Sequence, residues 1–406
     1  VTANHTTANH TTANHTTANE PPARPRPRLP RLRVPATIVT VLALLFGLPW
    51  STLALAGNHW PPVTVVVVTV LFAGGMVALP VLMVVGHGRR HRDGAARAGD
   101  TLLGVIWVMF TCAVLANLAR PLLALAGVAD PTRSRLLAAG LVAATTVLVL
   151  WGLVEALRVP RVREVTVPIR RLGAGLDGAR VVLLADTHFG PIDRTRWCAR
   201  VVDVVNALDP DIVCHAGDLA DGDVPRRRGQ VAPLARVRAR LARAYVTGNH
   251  EYFGRAQQWL DHIAGLGWQA LHNQHVTVER DGARLVLAGV DDATAAASGQ
   301  PGHGADHAAA LDGAGTDLPV LLLAHQPRQV GEAAAYGVDL QLSGHTHGGQ
   351  IWPFHLLVRL DQPVLQGLSR HGGQTWLYTT RGAGFWGPPL RVFAPSDITA
   401  LTLRAA

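Results

Sequence analysis

The run Val181-Val182-Leu183-Leu184-Ala185-Asp186-Thr187-His188 joins five apolar residues to a carboxylate and an imidazole two positions apart. A short, continuous apolar run bounded by polar residues reads as a strand buried on both faces. The same construction recurs four times downstream. Ile212–Cys214 runs into Gly217-Asp218 with Asp221, and Ala244–Val246 into Gly248-Asn249-His250-Glu251. Val320–Ala324 ends at His325, and Leu340–Leu342 leads to Gly344-His345-Thr346-His347-Gly348-Gly349-Gln350. Between these runs the spacing predicts helices over Arg194–Leu208, Leu234–Arg243 and Arg255–Ile263, while Val276–Val290 reads as a hairpin turning at Asp281-Gly282. The expectation is an α/β domain with added antiparallel strands, in which ligands gather where strands end.

The residue types at those strand ends are the donors of a hard or borderline divalent cation: carboxylate, carboxamide and imidazole, with no thiolate. One histidine at a strand end is more commonly hydrogen-bonded structure than a ligand; five such motifs in sequence are not explained that way. Two ions about 3.5–4 Å apart can share a carboxylate and clamp both oxygens of an in-line phosphoryl displacement. His345 and His347 fall on one face of an extended segment and can serve neighbouring ions. His215 reads as strand packing. Glu251 and Gln350 read as shaping the surroundings of the site, without a chemical role of their own.

The order D-x-H, G-D-x-x-D, G-N-H-E, H, G-H-x-H resembles the calcineurin-like metallophosphoesterase superfamily. The extended ending Gly344–Gln350, with the later Arg381-Gly382-Ala383-Gly384, resembles its membrane-associated bacterial phosphodiesterase subgroup. The resemblance implies a four-layer α/β/β/α sandwich over residues 160–406 and two divalent ions, with Mn, Fe, Zn and Co all suited to the donors. It implies one ion held by Asp186, His188, Asp218 and His347, and a second held by Asp218, Asn249, His325 and His345, so that Asp218 bridges. His250 becomes the general acid or charge stabiliser, oriented by Asp221.

Outward from this domain the composition changes. Only 16% of the chain is charged, against about 25% in soluble proteins, and no Asp, Glu, Lys or Arg occurs between Arg33 and Arg89. A purely soluble protein is excluded. Four stretches, roughly 35–56, 63–86, 101–119 and 136–154, approach the ~20 apolar residues that cross a bilayer. The third is the weakest, because Arg120 and Pro121 are expected to cut it short. The organisation expected is a low-complexity arm at 1–34, a transmembrane region at 35–157 and the phosphoesterase domain at 160–406. Residues 1–20 repeat Thr-Thr-Ala-Asn-His and can form no core.

All 37 cationic residues are Arg; the net charge of +9 falls as +4 before residue 34, +3 over 34–157 and +2 beyond. A nearly neutral C-terminal domain argues against specific nucleic-acid binding. Arg-rich and Arg-poor loops alternate, which places the N-terminus and the C-terminal domain in the cytoplasm. Ala54-Leu55-Ala56 resembles a signal-peptidase site, and cleavage there would leave that orientation unchanged. Arg226–Arg228, with Arg236, Arg238, Arg240 and Arg243, reads as a solvated face or a contact for anionic lipid. Cys112, Cys198 and Cys214 are too scattered for a disulfide framework and read as structural.

The function expected is a membrane-anchored two-metal phosphohydrolase acting on phosphodiester or pyrophosphate bonds. Lipid-linked or nucleotide-diacylated-sugar substrates are one class that the resemblance brings, and membrane lipids are the expected surroundings. Two rivals are a membrane sensor or scaffold with an inactive phosphoesterase fold, and a transporter with a regulatory domain. No ligand position is lost, which disfavours the first. The apolar spans carry almost no charge apart from Arg120, which disfavours the second.

Overall fold

The computed structural model describes residues 33–88 and 91–406; the pentapeptide repeat, the Pro/Arg-rich arm to residue 32 and the pair Arg89-Arg90 lie outside the described residues. Two units make up the chain, Val1–Val41 and Leu42–Ala406. Among its described residues the first contributes the opening turns of helix α1 (Arg33–Ala54).

Three further long helices follow: α2 (Pro62–His87), α3 (Asp93–Leu125) and α4 (Thr132–Leu157). All four are long and apolar enough to cross a membrane. Proline at the first position of α2 sets a helical φ where no N–H partner is needed. Side chains such as Val63, Val70, Leu71, Val84, Leu118 and Val147 are more than half exposed, as hydrocarbon-facing residues should be.

The third span is longer than expected. Neither Arg120 nor Pro121 ends α3, which continues to Leu125. Arg120 Nη1 has partners within the helix bundle, donating to the Ala56 carbonyl (3.1 Å) and to Ser134 Oγ (2.9 Å), so the residue does not end the helix. At 1.5 Å per residue α3 is about 50 Å long, some 20 Å more than the hydrocarbon core of a bilayer.

The remainder is built from β1 (Arg161–Ile169), β2 (Arg180–Leu184), α5 (Thr195–Ala207), β3 (Ile212–Ala216), α6 (Val224–Val231) and β4 (Ala242–Val246). Next come α7 (Ala256–Gly265), β5 (Gln269–Ala270), β6 (Gln274–Arg280), β7 (Ala283–Gly289), α8 (His307–Leu311) and β8 (Val320–Leu323). The chain closes with α9 (Val330–Ala335), β9 (Leu340–Ser343), α10 (His355–Asp361), β10 (Gly367–His371), β11 (Thr375–Thr379) and β12 (Asp397–Ala405).

Two six-stranded sheets result, ordered β1-β12-β2-β3-β4-β5 and β10-β11-β9-β8-β7-β6. Each is largely parallel with antiparallel neighbours at β12/β2, β10/β11 and β6/β7. Strand alternation distributes the apolar runs between layers. Val181 and Leu183 join Cys214, Val246, Leu287, Leu323 and Leu342 in the core between the sheets. Val182 and Leu184 face the other way, with Val201 and Trp259 of the helices covering the first sheet. Ala310 and Ala333 from α8 and α9 cover the second. This is the expected four-layer α/β/β/α sandwich.

The predicted hairpin is present: Arg280 pairs with Ala283 across Asp281 and Gly282, both at positive φ, as a two-residue turn of the primed type requires. The predicted helix Leu234–Arg243 is not. A 3-10 turn ends at Arg236, and Ala242 already opens β4. The intervening N–H groups go elsewhere, Arg238 to Asn206 Oδ1, Arg240 to the Pro210 carbonyl and Leu241 to the Asp211 carbonyl, which holds the segment extended. The basic cluster is likewise neither a free face nor a lipid contact throughout. Arg227 is buried and forms a two-point pair with Asp93 at the start of α3 (2.6 and 2.9 Å), while Arg226 donates to the His91 carbonyl.

The sandwich and the helices share a core. Ile351, Leu390 and Val392 pack with Val108, Cys112 and Leu141. Close approach is possible because α3 and α4 offer Gly104 and Gly152 there. A Cβ on Gly104 would stand 2.8 Å from Pro388 and Leu390, and Arg391 N donates to the Gly152 carbonyl. All three cysteines are free and buried.

Candidate metal centre

Each motif occupies the loop immediately after a strand: Asp186 and His188 after β2, Asp218 and Asp221 after β3, Asn249 and His250 after β4, His325 after β8, and His345 and His347 after β9. These are the adjacent central strands of the two sheets, so their ends meet across the sandwich. Asp186, His188, Asp218, His345 and His347 adopt φ between 42° and 71°, a region unfavourable for residues with a Cβ and concentrated at functional sites. Gly248 lets its loop lie on the Asp218 carboxylate, which a Cβ there would strike.

The donor atoms converge in two groups. In one, His188 Nε2 lies 3.0 Å from His347 Nε2, His347 Nε2 lies 3.7 Å from Asp186 Oδ1, and His188 Nε2 lies 3.6 Å from Asp218 Oδ2. In the other, Asn249 Oδ1 lies 2.9 Å from His345 Nδ1 and 3.2 Å from His325 Nε2, which is itself 3.2 Å from Asp218 Oδ2. Asp218 Oδ2 belongs to both. His188 Nδ1 is held by Asp221 Oδ1 at 2.9 Å and His325 Nδ1 by the Ala216 carbonyl at 2.7 Å. Each ring thereby turns its Nε2 inward, the arrangement of histidines that ligate metals. The carboxylate and imidazole atoms of Asp186, His188 and His347, and those of Asp218, His325 and His345, each crowd within 4.8 Å of one another, and such a buried cluster of donors is what a cation between them satisfies. The donor set therefore fits divalent ions.

His250 stands at the edge of this cluster. Its Nδ1 lies 2.7 Å from Asp221 Oδ1, and its Nε2 is 4.0 Å from Asp218 Oδ2. Burial opposes protonation of the ring, but the carboxylates of Asp218 and Asp221 outweigh it and push the pKa up to about 9. Asp218 itself is held well below the usual carboxylate range: burial opposes this, and the His325 and His250 charges prevail. Asp186 behaves oppositely. Burial lifts it to about 6 against the pull of His325, with Asp218 adding to the rise. His215 is buried and, through desolvation and the His325 charge, lowered to about 3; its Nε2 meets Thr187 Oγ1 at 3.1 Å, which is structural packing as expected.

Comparison with known proteins bears on this geometry directly. The calcineurin-like phosphoesterase family model matches residues 179–349. An uncharacterized metallophosphoesterase of Aquifex aeolicus is 31% identical over 245 residues, which cover 60% of this chain and 92% of that one. The chain belongs to the calcineurin-like metallophosphoesterase family. Two relatives called "Transmembrane protein with metallophosphoesterase domain" are each 40% identical. The match to the Danio rerio protein covers 64% of this chain and 61% of that one; for Bos taurus the shares are 69% and 65%. This chain thus spans less than two thirds of either.

Around the metallophosphoesterase centre lie groups that brace it, one of them expected from the sequence and others missed. Glu251 is buried, and its carboxylate accepts four backbone N–H groups: Leu219 and Ala220 at Oε1, Asp218 and Gly248 at Oε2. It ties the Gly-Asp loop to the Gly-Asn-His loop. Arg391 lies outside every motif read from the sequence. It is fully buried, donates to the carbonyls of Gly384, His347, Ala394 and Arg381, and places its guanidinium 3.1 Å from His347 Nδ1. A lone charge within the apolar run Pro388–Phe393 is the available signal. Asp221, expected to orient His250, also orients His188. A separate group of His272, Asp291 and His303 is likewise outside those motifs. Asp291 there takes His272 Nδ1 at 2.7 Å and the Gly304 N–H at 2.9 Å, a satisfied ion pair bracing the loop.

Proposed function

We propose that this chain is a membrane-anchored, two-metal phosphohydrolase that cleaves phosphodiester or pyrophosphate bonds. The observation that carries the reading is the convergence of seven side-chain donors in two groups sharing the Asp218 carboxylate. Asp186, His188, Asp218 and His347 would hold one divalent ion, and Asp218, Asn249, His325 and His345 the other. When bound, such ions supply charge neutralisation at phosphoryl oxygens and lower the pKa of water.

The protein's own part is positioning and proton handling. Hydrolysis forms one P–O bond to the oxygen of water, breaks the P–O bond to the leaving oxygen, and returns a proton to that oxygen. His250 is suited to deliver it, because Asp221 fixes its Nδ1 and leaves Nε2 facing the Asp218 side of the site. The Arg asymmetry of the loops supports placing this centre in the cytoplasm.

The test pairs metal analysis with a hydrolysis screen of the detergent-solubilised full chain. Diesters, monoesters and pyrophosphates are assayed after reconstitution with excess Mn. Two ions per chain are expected, with both weakened in Asp218→Asn because the charge they share is gone. One ion or none, or loss of a single site in Asp218→Asn, would refute the two-metal reading.

A further inference from the structure

Beside the metal-ligand cluster lies a cavity of about 470 Å³ whose inner end is formed by Asp218, Asn249 and His345. Its remaining walls come from several loops, the segment 346–351 and the residues Phe253, Trp386 and Pro388 among them, and from two helices that supply apolar side chains. Leu103, Gly104 and Trp107 belong to α3, whereas Phe354, Leu357 and Val358 belong to α10 and its approach; Trp107 and Phe354 meet edge to face at 5.8 Å. An apolar wall contributes nothing to holding the phosphoryl group itself and is suited to an apolar part of the ester.

The location of the α3 residues gives the wall its meaning. They fall inside the charge-free run from Thr101 to Ala119, the part of α3 long and apolar enough to enter hydrocarbon. Around the same region the sandwich exposes side chains that water does not favour: Leu356 and Leu357 are 57% and 51% exposed, Leu360 84% and Phe253 78%. The helix α10 buries none of its residues in the protein. A short helix with exposed leucines beside a membrane-entering stretch is suited to lie in the interface. The cavity is therefore lined both by residues of these apolar surfaces and by the donors for phosphoester chemistry.

We infer that the cavity between α3 and α10 seats the hydrocarbon chain of a membrane lipid and presents that lipid's phosphoester to the Asp218–Asn249–His345 end. The substrate class is then a lipid phosphoester taken sideways from the bilayer. This rests on the phosphohydrolase reading given above.

The experiment uses the full chain loaded with Mn and a series of p-nitrophenyl alkyl phosphodiesters, methyl to dodecyl, below their micelle concentrations. The leaving group is constant, so only the chain varies. Burying each methylene should raise kcat/KM by roughly two- to fourfold until the cavity is filled. Val358→Trp, which narrows the cavity from the α10 side, should lower the dodecyl-to-methyl ratio at least tenfold; Leu103→Phe, from the α3 side, is the second variant should the first fail to fold. Binding is read separately, by quenching of tryptophan fluorescence with 12-bromododecylphosphonate, competed by dodecyl- but not by methylphosphonate.

Equal kcat/KM across the series, or a ratio untouched by both variants, overturns the chain site while leaving the phosphohydrolase reading standing. Saturable, chain-dependent phosphonate binding with no hydrolysis of any ester overturns the phosphohydrolase reading while supporting the chain site.

Discussion

Replacing Glu251 by Gln is the sharpest probe of how the centre is held together. The carboxylate takes two N–H groups on each oxygen, Leu219 (2.9 Å) and Ala220 (3.2 Å) on one, Gly248 (2.7 Å) and Asp218 (3.1 Å) on the other. An amide has one oxygen. However the Gln side chain turns, two backbone donors lose their acceptor and face an NH2 group instead. Burial, with the Asp218 charge, pushes the Glu251 carboxyl up to about 8, so the loss is that of buried donors left unpaired, about 1–3 kcal/mol each, and two cost about 2–6 kcal/mol before any repulsion between donors. For a domain of 150–250 residues, where 1 kcal/mol moves Tm by about 2–4 °C, the fall is roughly 4–24 °C. The measurement is intrinsic-fluorescence melting of the detergent-solubilised full chain, in chelator and at one scan rate, with Mn content determined in parallel. Because the same carboxylate seats the Asp218 and Gly248 backbone, Mn occupancy should fall as well. A Glu251→Gln protein that melts within about 2 °C of wild type and retains full metal content would refute the reasoning; the span in Tm follows from the scatter of such energies.

Other outcomes are equally specific. His250→Ala should keep both metals and lose roughly 10²–10⁴-fold in turnover, less on p-nitrophenyl esters, whose leaving group needs little protonation; loss of metal, or equal slowing of activated and unactivated esters, would remove the general-acid role. Asn249→Ala, one residue away, should lower metal content together with activity, as metal analysis of the purified variant will show. Arg391→Lys, which loses the planar fork that spans Gly384, His347 and Arg381, should weaken Mn affinity by about 10–100-fold, measured by titration against a chelator. A C-terminal phosphatase fusion that works only after export should stay inactive, and activity from it would reverse the assigned orientation.

The strands and their terminal donors are legible because both are local: an apolar run followed within four residues by Asp, Asn or His announces itself without any knowledge of the partner strand. The five loops and the order of motifs carry the family. What sequence misses is non-local. Nothing in Leu234–Arg243 reveals that its N–H groups bond Asn206 and the Pro210–Asp211 carbonyls, so an Arg- and Ala-rich stretch looks helical. Arg120 looks like a helix end because its acceptors, Ala56 and Ser134, lie on either side of it at long range in the chain. Glu251 shapes the surroundings of the site as its sequence position suggests, but its partners, four backbone N–H groups from two loops, are not legible in the sequence. Arg227 reads as one of three surface cations until Asp93 is brought to it from α3.

The excess length of α3 acts as a ruler. Its charge-free part is long and apolar enough to cross a bilayer, its first turns are clamped to the sandwich by Asp93 and Arg227, and Gly104 is pressed against Pro388 and Leu390. The height and azimuth of the donor cluster relative to the charge-free part of α3 are therefore set by helix register, not by a slack tether. A single residue inserted between Asp93 and Leu103 would raise one end by about 1.5 Å and swing it by about 100°. Asp93 and Gly104 could no longer meet their partners together, and the centre would lose its fixed height.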